Sequence, residues 1–230
     1  MTEAERTALL ASPYQPDRIR AMKEPIPLLG PEIYGGIEEK GFSEDIFTGW
    51  HSTLPFIKQV VDLANPQVIV EVGTWKGGSA IHMASLCTAH IYCVDHWLGG
   101  CDHITAECAF RQGVHRDRHG WPGIYYQFLQ NVKCKGLERR ITPVPMMTTD
   151  GAALLAAHHV RADLIYIDAD HHKEPCKADI LAYRPLLRPG GIMFGDDFYL
   201  GDVKDAVFDV FGFRPQIIDS TGNFWAIQLP

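Results

Sequence analysis

From about Ser52 onward, short apolar runs alternate with segments of helical spacing, and no other feature of the chain restricts its fold as much. The run "QVIVEVG" (67–73) is strand-like, and "GGSAIHMASLC" (77–87) has helical spacing after a glycine turn. Four more strand-like runs follow: "HIYCVD" (90–95), "RITPVPM" (140–146), "ADLIYID" (162–168) and "GGIMFGDD" (190–197). Between the last three lie "DGAALLAAHH" and "KADILAYRPLL", both of helical spacing. Strands rich in Val and Ile, each leading into a helix, imply βαβ units and a parallel sheet covered on both faces. The end of the chain breaks this rhythm. A helix over 201–212 precedes "RPQIIDS", a turn at "TGN" and "FWAIQL", which together predict an antiparallel hairpin closing a mostly parallel sheet.

Two regions stand outside the alternation. Residues 1–48 carry Pro13, Pro16, Pro25, Pro27 and Pro31 and read as an extended N-terminal arm. Within the main domain, 49–230, the stretch 97–123 is rich in Gly, His and Arg and too long for a plain connection, which marks it as a lid over a binding site. A net charge of -7 leaves no basic surplus for phosphates, so neither nucleic acid nor an anionic membrane is expected as partner. No apolar run approaches the roughly 18 to 20 residues of a membrane span, and the N-terminus lacks a signal-peptide pattern, so a cytoplasmic location is expected. The expected partner is a small molecule, and the arm is the segment expected to build a homodimer or higher homo-oligomer. The six cysteines form no C-x-x-C pair and are read as reduced thiols; Cys101, Cys108 and His103 fit no common zinc spacing.

The turn after the first strand, "EVGTWKGGSA", offers Gly73, Gly77 and Gly78 where a ligand can approach the main chain. Its G-x-x-x-G-G spacing differs from the G-x-G-x-x-G that wraps a pyrophosphate, which argues against a dinucleotide. Asp95, at the tip of the second strand, is placed to accept hydrogen bonds from vicinal ribose hydroxyls, or else to cap the loop that follows.

The fourth strand runs into "YIDADHHKEP" and the fifth ends in "FGDDF". In a doubly wound sheet these strand ends lie near the switch point, so Asp168, Asp196 and Asp197 should converge. Two bare charges about 4 Å apart repel by about 4 kcal/mol at an effective dielectric near 20. Protonation, basic neighbours or a divalent cation would relieve that repulsion, and oxygen ligands suit magnesium, calcium or manganese.

Glu71–Ser79, Asp95 and the stretch "LIYIDADHHKEPCKADILAYRPLLRPGGIMFGDDF" together resemble a class I S-adenosylmethionine-dependent methyltransferase. Within that superfamily the chain is most similar to small metal-dependent O-methyltransferases of the macrocin and related sugar or natural-product type. It is more distantly similar to catechol O-methyltransferase. The resemblance implies a Rossmann-like, seven-stranded, mostly parallel sheet ending in an antiparallel hairpin, with S-adenosylmethionine as cofactor. It places Glu71 and Gly73 against the methionine end of the cofactor, with Ser79 at the start of the helix beside it, counts Trp75 and Gly78 among the cofactor-binding residues and puts Asp95 on the ribose. His96 or Trp97 would flank the adenosine, both being counted as cofactor-binding, and Thr148 and Thr149 would approach the adenine. The same resemblance makes Asp168, Asp196 and Asp197 ligands of Mg2+ or another divalent cation. His171, three residues after Asp168, would be the base that takes the acceptor's hydroxyl proton, with His172 as its rival and Asp170 orienting it or capping the next helix. The lid aromatics Trp97, Trp121, Tyr125 and Tyr126 would either recognise the acceptor or pack the lid. The activity implied is transfer of a methyl group to a hydroxyl of a sugar or natural-product scaffold. A metal-independent methyltransferase and a noncatalytic nucleoside-binding assembly protein are the alternatives.

Overall fold

In the computed structural model the described residues are 25–37, 54–100, 119–212, 215–217 and 222–230. Most of the expected arm, and residues 101–118 of the expected lid with Cys101, His103 and Cys108, lie outside them. In chain order the elements are α1 (Leu54–Ala64), β1 (Val68–Val72), α2 (Gly78–Leu86), β2 (His90–Asp95), α3 (Ile124–Cys134), β3 (Ile141–Pro145) and α4 (Thr148–Ala157). Then come β4 (Ala162–Ile167), α5 (Lys173–Tyr183), β5 (Leu187–Gly195), α6 (Gly201–Phe211), β6 (Gln216–Ile217) and β7 (Trp225–Gln228). The strands form one sheet in the order β3-β2-β1-β4-β5-β7-β6. The first five run parallel, and β7 lies antiparallel to both β5 and the two-residue edge strand β6.

The alternation of side chains along each strand divides the core in two. Ile69, Ile91, Ile141, Leu164 and Ile192 face one side, where they bury the apolar stripe of α1 (Phe56, Ile57, Val60, Val61) together with α2 and α3. Val70, Val72, Val94, Val144, Ile165 and Met193 face the other, against α4, α5 and α6. Burying a Val, Leu or Ile side chain stabilises by about 1.5–3 kcal/mol, so both helical layers are held mainly by these rows. The doubly wound, mostly parallel arrangement expected from the sequence is therefore present.

Three differences from the expected elements have physical causes. Strand β5 starts at Leu187, not at 190, because "RPGG" bulges within the strand: Ala162 pairs with Leu187 but Leu164 with Ile192. Residues 124–134, next to the expected lid, form a helix whose Ile124, Phe128, Leu129 and Val132 are buried at helical spacing. Part of the expected arm is docked on the domain. The hydroxyl of Tyr34, in a 3-10 turn at Pro31–Tyr34, donates to the carbonyl of Ile141 at 2.8 Å, and the carbonyl of Ile26 lies 2.8 Å from His158 Nε2. No helix among the described residues is long and apolar enough to cross a membrane.

Candidate active site

The carboxyl ends of β1, β2, β3, β4 and β5 open into one cavity of about 460 Å³, a size usual for small-ligand sites. Its floor is the turn after β1. There Gly73 has φ +85°, and a Cβ on it would stand 2.2 Å from the carbonyl oxygen of Asp168 and 2.5 Å from Cα of Ala169. The glycine was expected to make room for a ligand; what it first admits is the chain leaving β4. Gly77, at φ +86°, similarly admits the ring of Phe128, 2.9 Å from where its Cβ would be. These two close approaches bring Asp168 beside the turn.

Asp95 organises the same turn. Its Oδ2 accepts the N–H of Thr74 at 3.0 Å and of Trp75 at 2.8 Å, and its Oδ1 accepts the N–H of Trp97 at 2.7 Å. Trp75 and Trp97 both take positive φ, +52° and +53°, a conformation that non-glycine residues hold only when surroundings enforce it. The enforcing contacts are those to Asp95 and the bond from Trp97 Nε1 to the carbonyl of Trp75, 2.6 Å. Trp97 is 2% exposed and packs against Tyr125 and Phe128 with ring centroids 4.9 and 5.0 Å away. It belongs to the core and does not line the cavity, unlike His96. Tyr126 and Trp121 are exposed.

Glu71 is wholly buried behind the turn and also stands outside the cavity wall. Burial pushes its carboxyl up to about 8, against the opposing effect of the hydrogen bond donated by Ser79 Oγ. Glu71 thus anchors Ser79, which does line the cavity, along with Gly73, Trp75 and Gly78.

Asp168, His171 and Asp197 meet at the mouth. Their candidate ligand atoms lie within 4.8 Å of one another, the set among the described residues able to hold a metal ion. His171 Nε2 is 2.8 Å from Asp197 Oδ2 and 3.7 Å from Asp168 Oδ1. Asp168 and Asp197 raise the imidazole to about 10, overriding the lowering effect of burial. Asp168 is itself pushed up by burial, although His171 and the hydroxyl of Tyr166, which donates to its Oδ2 at 2.9 Å, oppose that rise. Asp197 reaches the mouth through a left-handed backbone, φ +56°. Asp196 is not in the group. Its Oδ1 accepts the N–H of Asp197 at 2.7 Å and Asn223 Nδ2 at 2.5 Å, and burial lifts its carboxyl to about 8. Both residues lie past the end of β5; the left-handed backbone of Asp197 and the bond from Asn223 to Asp196 turn the two carboxylates apart. His172, the rival base, pairs with Asp170 at 2.8 Å on the outer side of the loop.

On the far wall, Thr148 and Thr149 begin α4 beside Met147. A residue that sequence reasoning missed faces them from α5: Asp179, which lines the cavity while being only 2% exposed. The signal was available, because Asp179 shares the buried face of α5 with Cys176, Ile180 and Tyr183, a position where a carboxylate is rare; there it accepts the hydroxyl of Thr148 at 2.5 Å.

Residues 70–198 match the methyltransferase domain family. A 4'-O-methyltransferase from Streptomyces olivaceus, named for 8-demethyl-8-(2,3-dimethoxy-alpha-L-rhamnosyl)-tetracenomycin-C, is 29% identical over 176 residues, covering 70% of this chain. The chain spans 66% of that relative's length. Among solved structures, the TDP-rhamnose 3'-O-methyltransferase of calicheamicin biosynthesis superimposes with a TM-score of 0.58 at 19% identity, over 99% of this chain and 96% of that one. An O-methyltransferase from Bacillus cereus in complex with S-adenosylhomocysteine gives 0.55 at 14% identity, over 86% and 87%. At such identities these structures speak for a shared fold.

Proposed function

The chain belongs to the methyltransferase domain family, and from that membership we propose that it methylates a hydroxyl of a sugar or glycosylated natural product, using S-adenosylmethionine. The observation that carries the reading is the convergence, in one cavity, of the Asp95-braced glycine turn with Asp168, His171 and Asp197. The tetracenomycin-rhamnose and TDP-rhamnose methyltransferases among its relatives support the sugar as acceptor. The cavity's size and its glycine floor fit the cofactor, which supplies an electrophilic sulfonium methyl.

The chain's own residues would then do three things. Ser79, held by Glu71, and the main chain of the turn would bind the amino-acid end, while Asp95, which already accepts three main-chain N–H groups, would offer its remaining acceptor capacity to the ribose. The acceptor oxygen is held at the mouth, within about 3 to 3.5 Å of the methyl carbon and opposite the sulfur, where positioning supplies most of the acceleration. His171 or a neighbouring carboxylate would take the hydroxyl proton as the acceptor oxygen takes the methyl group, which the cofactor would supply with a neutral sulfide as leaving group.

Because Asp168 and Asp197 keep His171 protonated near neutral pH, its role as base goes together with compensation of their charge. The two carboxylates fit a divalent cation such as Mg2+, which would supply that charge, lower the pKa of the acceptor hydroxyl and leave the His171 imidazole to take the proton. A metal-independent reaction has its own support in the 2.8 Å His171–Asp197 pair, which already neutralises one carboxylate; the other would take the proton. The test is methyl transfer from labelled S-adenosylmethionine to TDP-deoxysugars, rhamnosylated aglycones and catechols, with chelator and with added Mg2+. Product on sugars that disappears with chelator and returns with the ion supports the metal reading; product that persists supports the second. Turnover of catechols alone would remove the sugar as acceptor.

A further inference from the structure

We propose that Tyr166 is a positioning residue that restricts Asp168 to one free carboxylate oxygen and thereby sets the site's preference for Mg2+ over Ca2+. The inference rests on the divalent-cation reading above and adds to it the group that chooses between ions.

Strand geometry brings the two side chains together. Residues two apart on a strand share a face, and the ladder of β4 continues past Ile167, because the N–H of Asp168 donates to the carbonyl of Val72 at 2.8 Å. Asp168 therefore leaves β4 on the same side as Tyr166, whose ring stacks on Phe194 of β5 with centroids 4.6 Å apart and planes at 15°. Tyr166 is 1% exposed, yet it forms part of the cavity wall. A phenylalanine would fill the same space against Phe194. What the hydroxyl adds is one bond, donated to Asp168 Oδ2 at 2.9 Å. A phenol keeps its proton at neutral pH, so that donor is always present.

The bond decides which oxygen of Asp168 is left for a ligand. Oδ1 is the one turned to the mouth, 3.7 Å from His171 Nε2. Bringing Oδ2 to the mouth as well would strip the buried hydroxyl of its partner, and a buried donor without an acceptor is costly. Divalent cations differ in how they tolerate that restriction. Mg2+ is small, holds near-octahedral geometry and is bound through one or two carboxylates with water or substrate oxygens in its other positions. Ca2+ takes more oxygens in looser geometry and commonly engages both oxygens of a carboxylate. An aspartate with one oxygen to give suits the first ion and leaves the second short of a ligand.

Calorimetric titration of MgCl2, and separately of CaCl2, into the metal-stripped full chain reads the preference in the wild type and in Tyr166→Phe. The wild type should bind Mg2+ more tightly than Ca2+. Tyr166→Phe keeps the ring stack and loses only the hydroxyl, and its melting midpoint shows that the fold is kept. Its Mg2+ affinity should fall by about 10-fold or more, the usual consequence of removing a group that orients a metal ligand, while its Ca2+ affinity holds or rises. The ratio of the two affinities should therefore fall by about 10-fold or more. A purely structural role would lower both affinities together, so a ratio equal to wild type in the folded variant would overturn the assignment. A wild type that binds Ca2+ as tightly as Mg2+ would overturn it without any variant. A wild type that binds neither ion would overturn the cation reading as well, so the two failures are distinguishable.

Discussion

Gly73→Ala tests the link between the glycine turn and the acidic mouth. At φ +85° an alanine adopts a backbone that disfavours L-residues by about 1–2 kcal/mol. Its Cβ would also stand 2.2 Å from the Asp168 carbonyl oxygen, a main-chain atom that cannot swing aside. Forcing an extra carbon into a packed site adds about 1–3 kcal/mol, for a total near 2–5 kcal/mol. In a domain of this size that lowers the melting temperature by about 4–20 °C. Gly136→Ala is the internal control. It has φ +65° but nothing within 4 Å of the added Cβ, so it carries the backbone effect alone, about 2–8 °C. Thermal unfolding of both variants by circular dichroism measures the difference. Because the clash pushes the β4 exit outward, Gly73→Ala should also lose His171–Asp197 geometry and turnover, while Gly136→Ala keeps both. A Gly73→Ala protein as stable as Gly136→Ala would refute the claim that Asp168's close approach demands glycine.

Two further outcomes follow from the electrostatics. Asp197→Ala removes the carboxylate 2.8 Å from His171, so the imidazole pKa followed by NMR should fall from about 10 toward its ordinary range; an unchanged titration would show that Asp168 alone holds the proton. Glu71 has a folded-state pKa raised to about 8 from an ordinary 4.5, so its contribution to stability is complete below pH 4.5 and is lost as pH rises through 8. Glu71→Gln should therefore flatten the fall in melting temperature between pH 5 and 9, and a slope equal to wild type would mean that the Glu71 carboxyl is not raised in the folded protein.

The sheet was legible because its strands are buried on both faces and read as unbroken Val and Ile runs, as in "QVIVEVG". What the residues did not disclose depends on tertiary packing. Trp97 follows a strand that ends in the site, which makes an aromatic there look like a cofactor wall; only the placement of Tyr125 and Phe128 turns it into core. Helix α3 had its Ile124, Phe128 and Val132 spacing in view, but "IYYQF" beside a Gly- and His-rich stretch looked like lid. The aspartate pair could not be split in advance, because it lies past the end of β5; that Asp197 and not Asp196 reaches the mouth depends on its positive φ and on Asn223, which holds Asp196 from twenty-seven residues on in sequence. Asp179 announced itself as a charge on an apolar helix face, a signal overshadowed by the denser acids upstream.

Calorimetric titration of S-adenosylmethionine into the metal-stripped wild-type protein, repeated with magnesium, tests the central claim most directly. Saturable binding in the cavity, weakened when Asp95 is replaced by alanine, is the predicted result. No heat of binding in either condition would contradict the account.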